Sequence, residues 1–298
     1  AYPSVRAISN PRLFRLWEVS KMNNNSFSLA FTSDVYRMRK LKSVWVSLII
    51  MFLAIFLTFA VYWIGMKIIE NTPPEQAPDA DGTMQVFDLL IVNLLYGSSS
   101  IACIEFLIAI VACIFIGKDF SNGYVALTTA RGAKRADTYF SKWLSMVCLF
   151  FFYMCFALVV SGIFYAISGS PGGFTSAKFG ILMRNFALQF LAGVASVSIF
   201  VMVNFLCRST GTSIATCIAA YLLLSVVVSV ISTVIATNDV TGTKLDWTIF
   251  LPLQQMGIAT TAEKLANEQI VAATVMPFVY TVISTLIGYF TFKKRDIK

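Results

Sequence analysis

The side chains of this sequence that could do chemistry are few, and most are charged residues within or between long apolar runs. Histidine, the commonest general base and metal ligand at neutral pH, is absent. The six cysteines lie in or beside apolar runs without a CxxC spacing, which favours apolar packing over a disulfide or metal site. The GxxxxGK(S/T) phosphate loop also does not occur. These patterns disfavour an enzyme and predict no catalytic or metal-binding residue.

One carboxylate falls inside an apolar run, since Glu105 lies near the middle of "SSSIACIEFLIAI". A charge at that depth costs about 2.5–3.5 kcal/mol, so we expect Glu105 to face protein or water and not lipid. The hydroxyl groups of Ser98 and Ser99 lie nearby, and small polar residues allow close helix contacts in lipid. The three residues are candidates for a translocation path, and equally for a packing or dimer contact.

The largest polar interruption is the segment 117–143, "GKDFSNGYVALTTARGAKRADTYFSKW". A short helix is expected from Asn122 to just before Gly132, which suits a helix exit, and a second helix near Asp137, an acceptable N-cap. Between basic flanks, the first helix would present apolar side chains as a docking surface for a soluble protein. These side chains are Phe120, Tyr124, Val125 and Leu127.

The elements that must position these residues are membrane-spanning helices. Hydrophobic residues make up 57% of the 298 and charged residues only 13%, against about 25% in soluble domains. Backbone groups in lipid must be paired within the segment, so long apolar runs mean helices. Six runs are long enough, and we predict an all-α polytopic membrane protein with one transmembrane domain over 1–298. The predicted spans are 44–66, 89–116, 143–167, 179–206, 214–236 and 271–292.

The distribution of basic residues predicts the orientation. Of the 23 Lys and Arg residues, 18 lie on one side of the six predicted spans. They are Arg208 and the basic residues of the segments 1–43, 117–143 and 293–298. The acidic loops lie on the other side. We therefore expect a multi-pass protein of the cell membrane, plasma or inner, with both termini cytoplasmic and no cleavable signal peptide. Topology, together with anionic lipid or a cytoplasmic partner, accounts for the net charge of +8, so nucleic acid is not an expected partner.

Two segments outside the spans have structure of their own. Residues 25–42 show helical periodicity and a basic end, which is typical of an amphipathic helix in the membrane interface, or of a basic flank that only sets topology. Its apolar face is Phe27, Phe31, Val35 and Met38, and its basic end includes Arg37, Arg39 and Lys40. The segment 237–270 is predicted to form a short extracellular helix or to re-enter the outer leaflet. Its candidate gate residues are Trp247, Phe250 and Pro252.

The polar loop resembles the permease subunits of ATP-binding-cassette exporters of the type-2, ABCG-like class. In that family an acidic residue, a glycine, a leucine-rich patch, an arginine and a lysine follow one another between the second and third spans. The matching positions here are Asp119, Gly123, Leu127, Arg135 and Lys142. The basic interface helix, the six spans and the terminal "FKKRD" are similar as well.

The resemblance implies a permease that pairs with a second copy, a homodimer in preference to a heterodimer, and with two separate cytoplasmic ATPase subunits. The chain itself would hold no cofactor, and ATP and Mg would bind the ATPases. The loop would be the coupling helix, and the spans would export a hydrophobic or amphipathic substrate, most simply a peptide, by alternating access. An ATP-independent channel or secondary transporter and a non-transporting scaffold stay open as alternatives. The implied coupling residues are Asp119, Phe120, Gly123, Tyr124, Leu127, Arg131 and Arg135.

Overall fold

The computed structural model describes residues 26–70, 98–130, 133–168, 176–207, 209–237 and 267–294. These residues form eight helices and contain no strand, which confirms the all-α class for this part of the chain. The helices are α1 (Ser26–Lys40), α2 (Lys42–Glu70), α3 (Ser98–Ser121), α4 (Tyr124–Ala130), α5 (Arg135–Ser168), α6 (Ser176–Cys207), α7 (Thr210–Thr237) and α8 (Asn267–Lys294).

Four of these helices are long and apolar enough to cross a membrane: Lys42–Val61 in α2, Arg135–Phe164 in α5, Met183–Cys207 in α6 and Ala273–Lys294 in α8. Large apolar side chains on them stay exposed, among them Ile49, Phe152 and Phe278. Since water-soluble proteins rarely expose apolar surface on this scale, the chain is a membrane protein. The other two predicted spans overlap α3 and α7, and the six-span arrangement stays a prediction.

Helices α3, α5 and α6 form the centre of the packing, and α5 contacts α1, α2, α3, α4, α6 and α8. Helix α3 contacts α2, α4, α5, α6 and α7, and helix α6 contacts α3, α5, α7 and α8. Ile108, Phe150 and Val201 are examples of their fully buried apolar side chains. Gly117 lets α3 approach the start of α7, because a Cβ placed there would lie 2.7 Å from the Cα of Thr210.

The ends of several helices meet at one end of the bundle, which we call the charged end: the last turns of α1, α3, α6 and α8 and the first turns of α5. The Phe205 ring at the end of α6 lies 5.4 Å from the Phe120 ring in α3 and 5.0 Å from the Phe292 ring in α8. Arg135 in α5 donates to the carbonyl oxygen of Lys293 in α8 at 2.8 Å. The segments whose basic residues predict one common side of the membrane therefore lie together. That this side is the cytoplasmic one stays a prediction.

The polar loop is more helical than its composition suggests. Helix α3 continues to Ser121, and Gly123 then adopts a φ of 67°, a left-handed conformation that glycine reaches without steric cost. Helix α4 follows at once, so the short helix begins at Tyr124 and not at the expected Asn122. Helix α5 begins at Arg135, two residues before the expected cap, and Asp137 lies in its first turn, where a carboxylate favours the helix dipole.

Candidate functional site

Four charged side chains from three helices meet at the charged end, and we call them the ion cluster: Asp34 and Arg37 from α1, Asp119 from α3 and Lys142 from α5. Three of them are almost completely buried, with exposures of 3% for Asp34, 0% for Asp119 and 1% for Lys142. Such residues are almost never fully buried unless they are paired. The cluster has two acids and two bases and is therefore electrically neutral.

Asp119 is the centre of the ion cluster because it contacts both bases. Arg37 donates to it in a fork, from Nη1 to Oδ2 at 3.3 Å and from Nη2 to Oδ1. Lys142 donates from Nζ to the same Oδ2. Burial alone would lower the pKa of Arg37, but the hydrogen bond and the charge of Asp119 outweigh burial and raise that pKa. The guanidinium therefore stays charged at any working pH.

Asp34 connects the same bases to the start of α5. Its Oδ2 accepts a hydrogen bond from Ser141 Oγ at 2.6 Å, and its Oδ1 lies 3.4 Å from Lys142 Nζ. Arg37 Nη1 lies 3.6 Å from the same Oδ1, one helical turn along α1. Both oxygens of this buried carboxylate thus have partners, as a buried charge requires.

The aromatic ring of Tyr124 forms one wall of the ion cluster and brings in helix α4. The guanidinium carbon of Arg37 lies 3.9 Å from the Tyr124 ring centroid, within the range of a cation–π contact. The Tyr124 hydroxyl lies 3.1 Å from Ser33 Oγ. Helices α1, α3, α4 and α5 are therefore joined through one set of polar contacts.

Buried ion pairs such as those of the ion cluster contribute little net stability to a fold. Replacing a buried ion pair by apolar residues is often neutral, whereas removing one partner alone is costly. The loss of any one member of the neutral cluster would therefore leave an uncompensated charge between α1, α3 and α5.

Three of the four side chains of the predicted docking surface pack against neighbouring helices. Phe120 packs edge-on against Phe205, Val125 is 1% exposed, and Tyr124 is half-buried against Arg37. The expectation that they are exposed is wrong, because α4 lies against α3 and α5 and uses them as anchors. Leu127 differs, since it is 49% exposed and is the apolar side chain of α4 that remains available to a partner.

The remaining predicted coupling residues have separate positions. Gly123 makes the turn between α3 and α4, and Arg135 binds the backbone of α8 as described above. Arg131 lies outside the described residues. Of the predicted coupling residues in the described part of the chain, Asp119 belongs to the ion cluster and Tyr124 packs against it, whereas Phe120, Leu127 and Arg135 lie elsewhere.

The predicted interface helix exists, and its most buried face includes Met38 from the predicted apolar stripe together with Asp34, which was not predicted. Asp34 and Met38 are its buried residues. The Phe27 ring is largely exposed and stacks on the partly exposed Phe31 ring at 6.4 Å between centroids. Val35 is half-buried. Arg39 and Lys40 are exposed, as expected for a basic flank, whereas Arg37 belongs to the ion cluster.

Glu105 is buried in α3 with an exposure of 3%, so it faces protein and not lipid, as expected. Its side chain shares a hydrogen bond with Ser196 in α6, while its Oε1 has no partner among the described residues. Ser98 and Ser99 lie at the start of the same helix, whose opposite end is at the charged end. The predicted gate residues Trp247, Phe250 and Pro252 lie outside the described residues.

Sequence reasoning missed two residues of the ion cluster as site residues, Asp34 and Lys142. In the sequence Lys142 is one of the basic charges that indicate topology and one position of the resemblance, and the local pattern gives neither Lys142 nor Asp34 a partner. The signal for Asp34 was available, because it is the single acidic residue in the basic segment 25–42. In the part of the chain that the structure describes, no group of three or more His, Cys, Asp or Glu residues could hold a metal ion.

Comparison with known proteins gives one family match. A family profile described as "Protein of unknown function (DUF2705)" matches residues 80–298, which include every helix from α3 to α8. Asp119 and Lys142 lie inside the matched range, and Asp34 and Arg37 lie before it. No curated protein matches the chain.

Proposed function

The chain belongs to the DUF2705 family, and we propose that it is the membrane-spanning subunit of an ATP-driven exporter. The observation that carries the proposal is the ion cluster, which joins a short helix at the charged end to the long helices α3 and α5. A permease powered by another polypeptide needs such a connection, because the force acts on a peripheral element and the work is done in the membrane.

The proposed docking element is helix α4. It has seven residues and is anchored on its inner side by Val125, which is buried, and by Tyr124. Its outer side offers Leu127, and basic residues stand at the start of the next helix, where Arg135 is half-buried. An exposed apolar side chain beside positive charge suits a groove on a soluble protein with an apolar floor and an acidic rim.

In the proposed mechanism two ATPase subunits bind ATP and Mg and close on each other, and their closure pushes α4. The ion cluster passes the movement to α1, α3 and α5 as one unit. A second copy of the chain supplies the other half of the pathway, in an arrangement of six spans each with both termini in the cytoplasm. The two copies then alternate between inward-open and outward-open states.

The proposed cargo is hydrophobic or amphipathic, with a peptide as the first candidate. The spans are rich in Phe and carry few charges, which suits a pathway for an apolar cargo. Glu105 is a buried carboxyl between α3 and α6 and is the proposed polar contact along that pathway. The segment 237–270 with Trp247, Phe250 and Pro252 is the proposed outer gate.

The test is co-purification of the full chain with the products of its neighbouring genes, with two matched variants. Leu127→Ala removes an apolar side chain that is 49% exposed on α4, and Leu286→Ala removes one that is 48% exposed on α8. We expect an ATPase to co-purify in a stoichiometric ratio and to be lost with Leu127→Ala, because a central apolar contact typically contributes about 1–2 kcal/mol, or about tenfold in affinity. Leu286→Ala should retain it.

Two results would refute the proposal. One is equal loss of the ATPase with both variants, which would mean that α4 has no special role. The other is full transport by the lone chain in liposomes without ATP, which is what a channel or a secondary transporter would give.

A further inference from the structure

A basic cavity lies at the charged end, on the outer side of the junction between α1 and α2. Its volume is about 400 Å³, and it is lined by the end of α1, the start of α2 and the last turn of α3. The lining includes four cationic side chains and one carboxylate, which gives a net charge of +3. The charged lining residues are Arg37, Lys40, Lys42, Lys118 and Asp119.

The positive charge of this cavity is not neutralised from within the chain. Asp119 already pairs with Arg37 and with Lys142 in the ion cluster. Among the residues that the structure describes, neither Lys42 nor Lys118 has an acidic partner, and both are exposed. Cations that converge on one cavity without a counter-charge repel each other, so a bound anion would stabilise their arrangement.

The cavity also contains a hydrogen-bond donor without a partner. Ser43 Oγ is buried and makes no hydrogen bond among the described residues. Ser43 lies in the first turn of α2, where the helix dipole favours a negative charge. A hydroxyl without a partner thus belongs to the lining of the same cavity as the lysines, and these donors match the several acceptor oxygens of a phosphate group.

The position of the cavity favours a membrane lipid as the source of the anion. Lys42 is the first residue of a helix segment that is apolar enough to span a membrane, so the cavity lies where that span meets the interface. Trp45 is 61% exposed one turn further along, and its indole N–H donates to the Arg39 carbonyl at 3.0 Å. A tryptophan whose ring is apolar and whose N–H is hydrogen-bonded is typical of the lipid headgroup region of a membrane. Beyond it, the exposed apolar face of α2 offers Ile49 and Leu53 to an acyl chain.

We propose that this cavity binds the phosphate headgroup of an anionic phospholipid whose acyl chains lie along α2. The inference does not depend on the proposed export function. Lys42 and Lys118 provide the charge, Ser43 provides a hydrogen bond, and Leu41 with α2 provides the apolar contact. Since Arg37 lines the cavity and also holds Asp119, the bound headgroup lies beside the ion cluster and favours the arrangement in which α1 is docked.

The test is calorimetric titration of the full chain, purified in a neutral detergent, with short-chain phosphatidylglycerol. Phosphatidylcholine of the same chain length and inorganic phosphate serve as the other two ligands. We expect phosphatidylglycerol to bind most tightly, and Lys42→Gln with Lys118→Gln to weaken it about 30-fold, since each basic residue near anionic lipid contributes about fivefold. Ser43→Ala should weaken it about fivefold, as expected for one hydrogen bond of average strength.

The control variant combines Lys293→Gln with Lys294→Gln, which removes the same charge from the last turn of α8. It should bind phosphatidylglycerol as the wild type does. Circular dichroism checks that each variant retains its helices. If the double lysine variant does not fold, the affinity of Ser43→Ala for phosphatidylglycerol tests the proposal, because this variant removes only a single oxygen atom. Unchanged affinity with Ser43→Ala, equal weakening in the control variant, or equal binding of phosphatidylcholine would overturn the proposal. Inorganic phosphate that binds as tightly as the lipid would do so too.

Discussion

Asp119→Asn is predicted to destabilise the chain strongly, because Asp119 pairs with both bases of the ion cluster. Asparagine has nearly the same shape, but it removes the charge that both Arg37 and Lys142 contact. The cluster then has two cations and one anion, all close together, and Lys142 is 1% exposed and cannot reach water. Removal of one partner from a buried ion pair costs about 3–5 kcal/mol, and we expect that loss in the free energy of unfolding.

The magnitude can be tested with a double-mutant cycle that restores neutrality. Lys142→Met alone leaves two carboxylates with Arg37 and should cost about the same 3–5 kcal/mol. The double variant retains Arg37 and Asp34, whose atoms lie 3.6 Å apart, and is neutral. It should therefore cost about 2–3 kcal/mol less than the sum of the two single variants, the upper range for residues in direct contact.

The assay is reversible unfolding in mixed detergent micelles followed by tryptophan fluorescence, since Trp143 follows Lys142 and donates to Ser198 at 2.8 Å. Asp137→Asn is the matched control, because it removes a carboxylate from the first turn of α5 that is only partly buried. It should cost less than about 1 kcal/mol. Additivity of the two cluster substitutions within about 0.5 kcal/mol would refute the coupling, and so would equal losses for Asp119→Asn and Asp137→Asn.

Three further predictions concern the packing around the charged end. Gly123→Ala should lower the free energy of unfolding by about 1 kcal/mol because the residue has a positive φ, although no atom obstructs a Cβ there. Gly211→Ala is the control, since Gly211 is equally unobstructed but lies within a helix, and it should not lower that free energy. Chemical unfolding of both variants measures the difference. Gly117→Val should cost about 1–3 kcal/mol or more, measured the same way, because a side chain would meet the backbone of α7. Mild oxidation should cross-link Cys113 to Cys217, whose Sγ atoms lie 3.5 Å apart, so that fragments cleaved between α3 and α7 stay joined until a reductant is added.

The helices themselves could be predicted from the sequence, although their ends could not. The predicted third span begins at residue 143, whereas α5 begins at Arg135. The second helix of the polar loop is expected near Asp137, so only its first two residues differ, and the apolar span is shorter than the helix that contains it. Within its added turns Ser141 and Lys142 contact Asp34 and Asp119, and such partners from distant segments do not appear in a local pattern.

The candidate site was predicted in its location and in part of its membership. Asp119 and Tyr124 were chosen from the loop, and both lie in or against the ion cluster. Phe120 differs from the prediction, because an aromatic residue in a polar loop can point outward or, as here, pack on Phe205. Exposure depends on which face of α4 the other helices cover, and the sequence of α4 does not specify this.

What the sequence by itself determined is the helical, membrane-embedded character of the chain and the grouping of its basic segments. Both follow from local composition, because each helix in lipid satisfies its own backbone and each loop charge acts through its own position. Only the tertiary structure decided that Asp34 and Lys142, 108 residues apart, lie within 3.4 Å, and that Lys42 and Lys118 face one cavity. Ion pairing at this range depends on how α1, α3 and α5 pack, and that arrangement arises from contacts across the whole bundle.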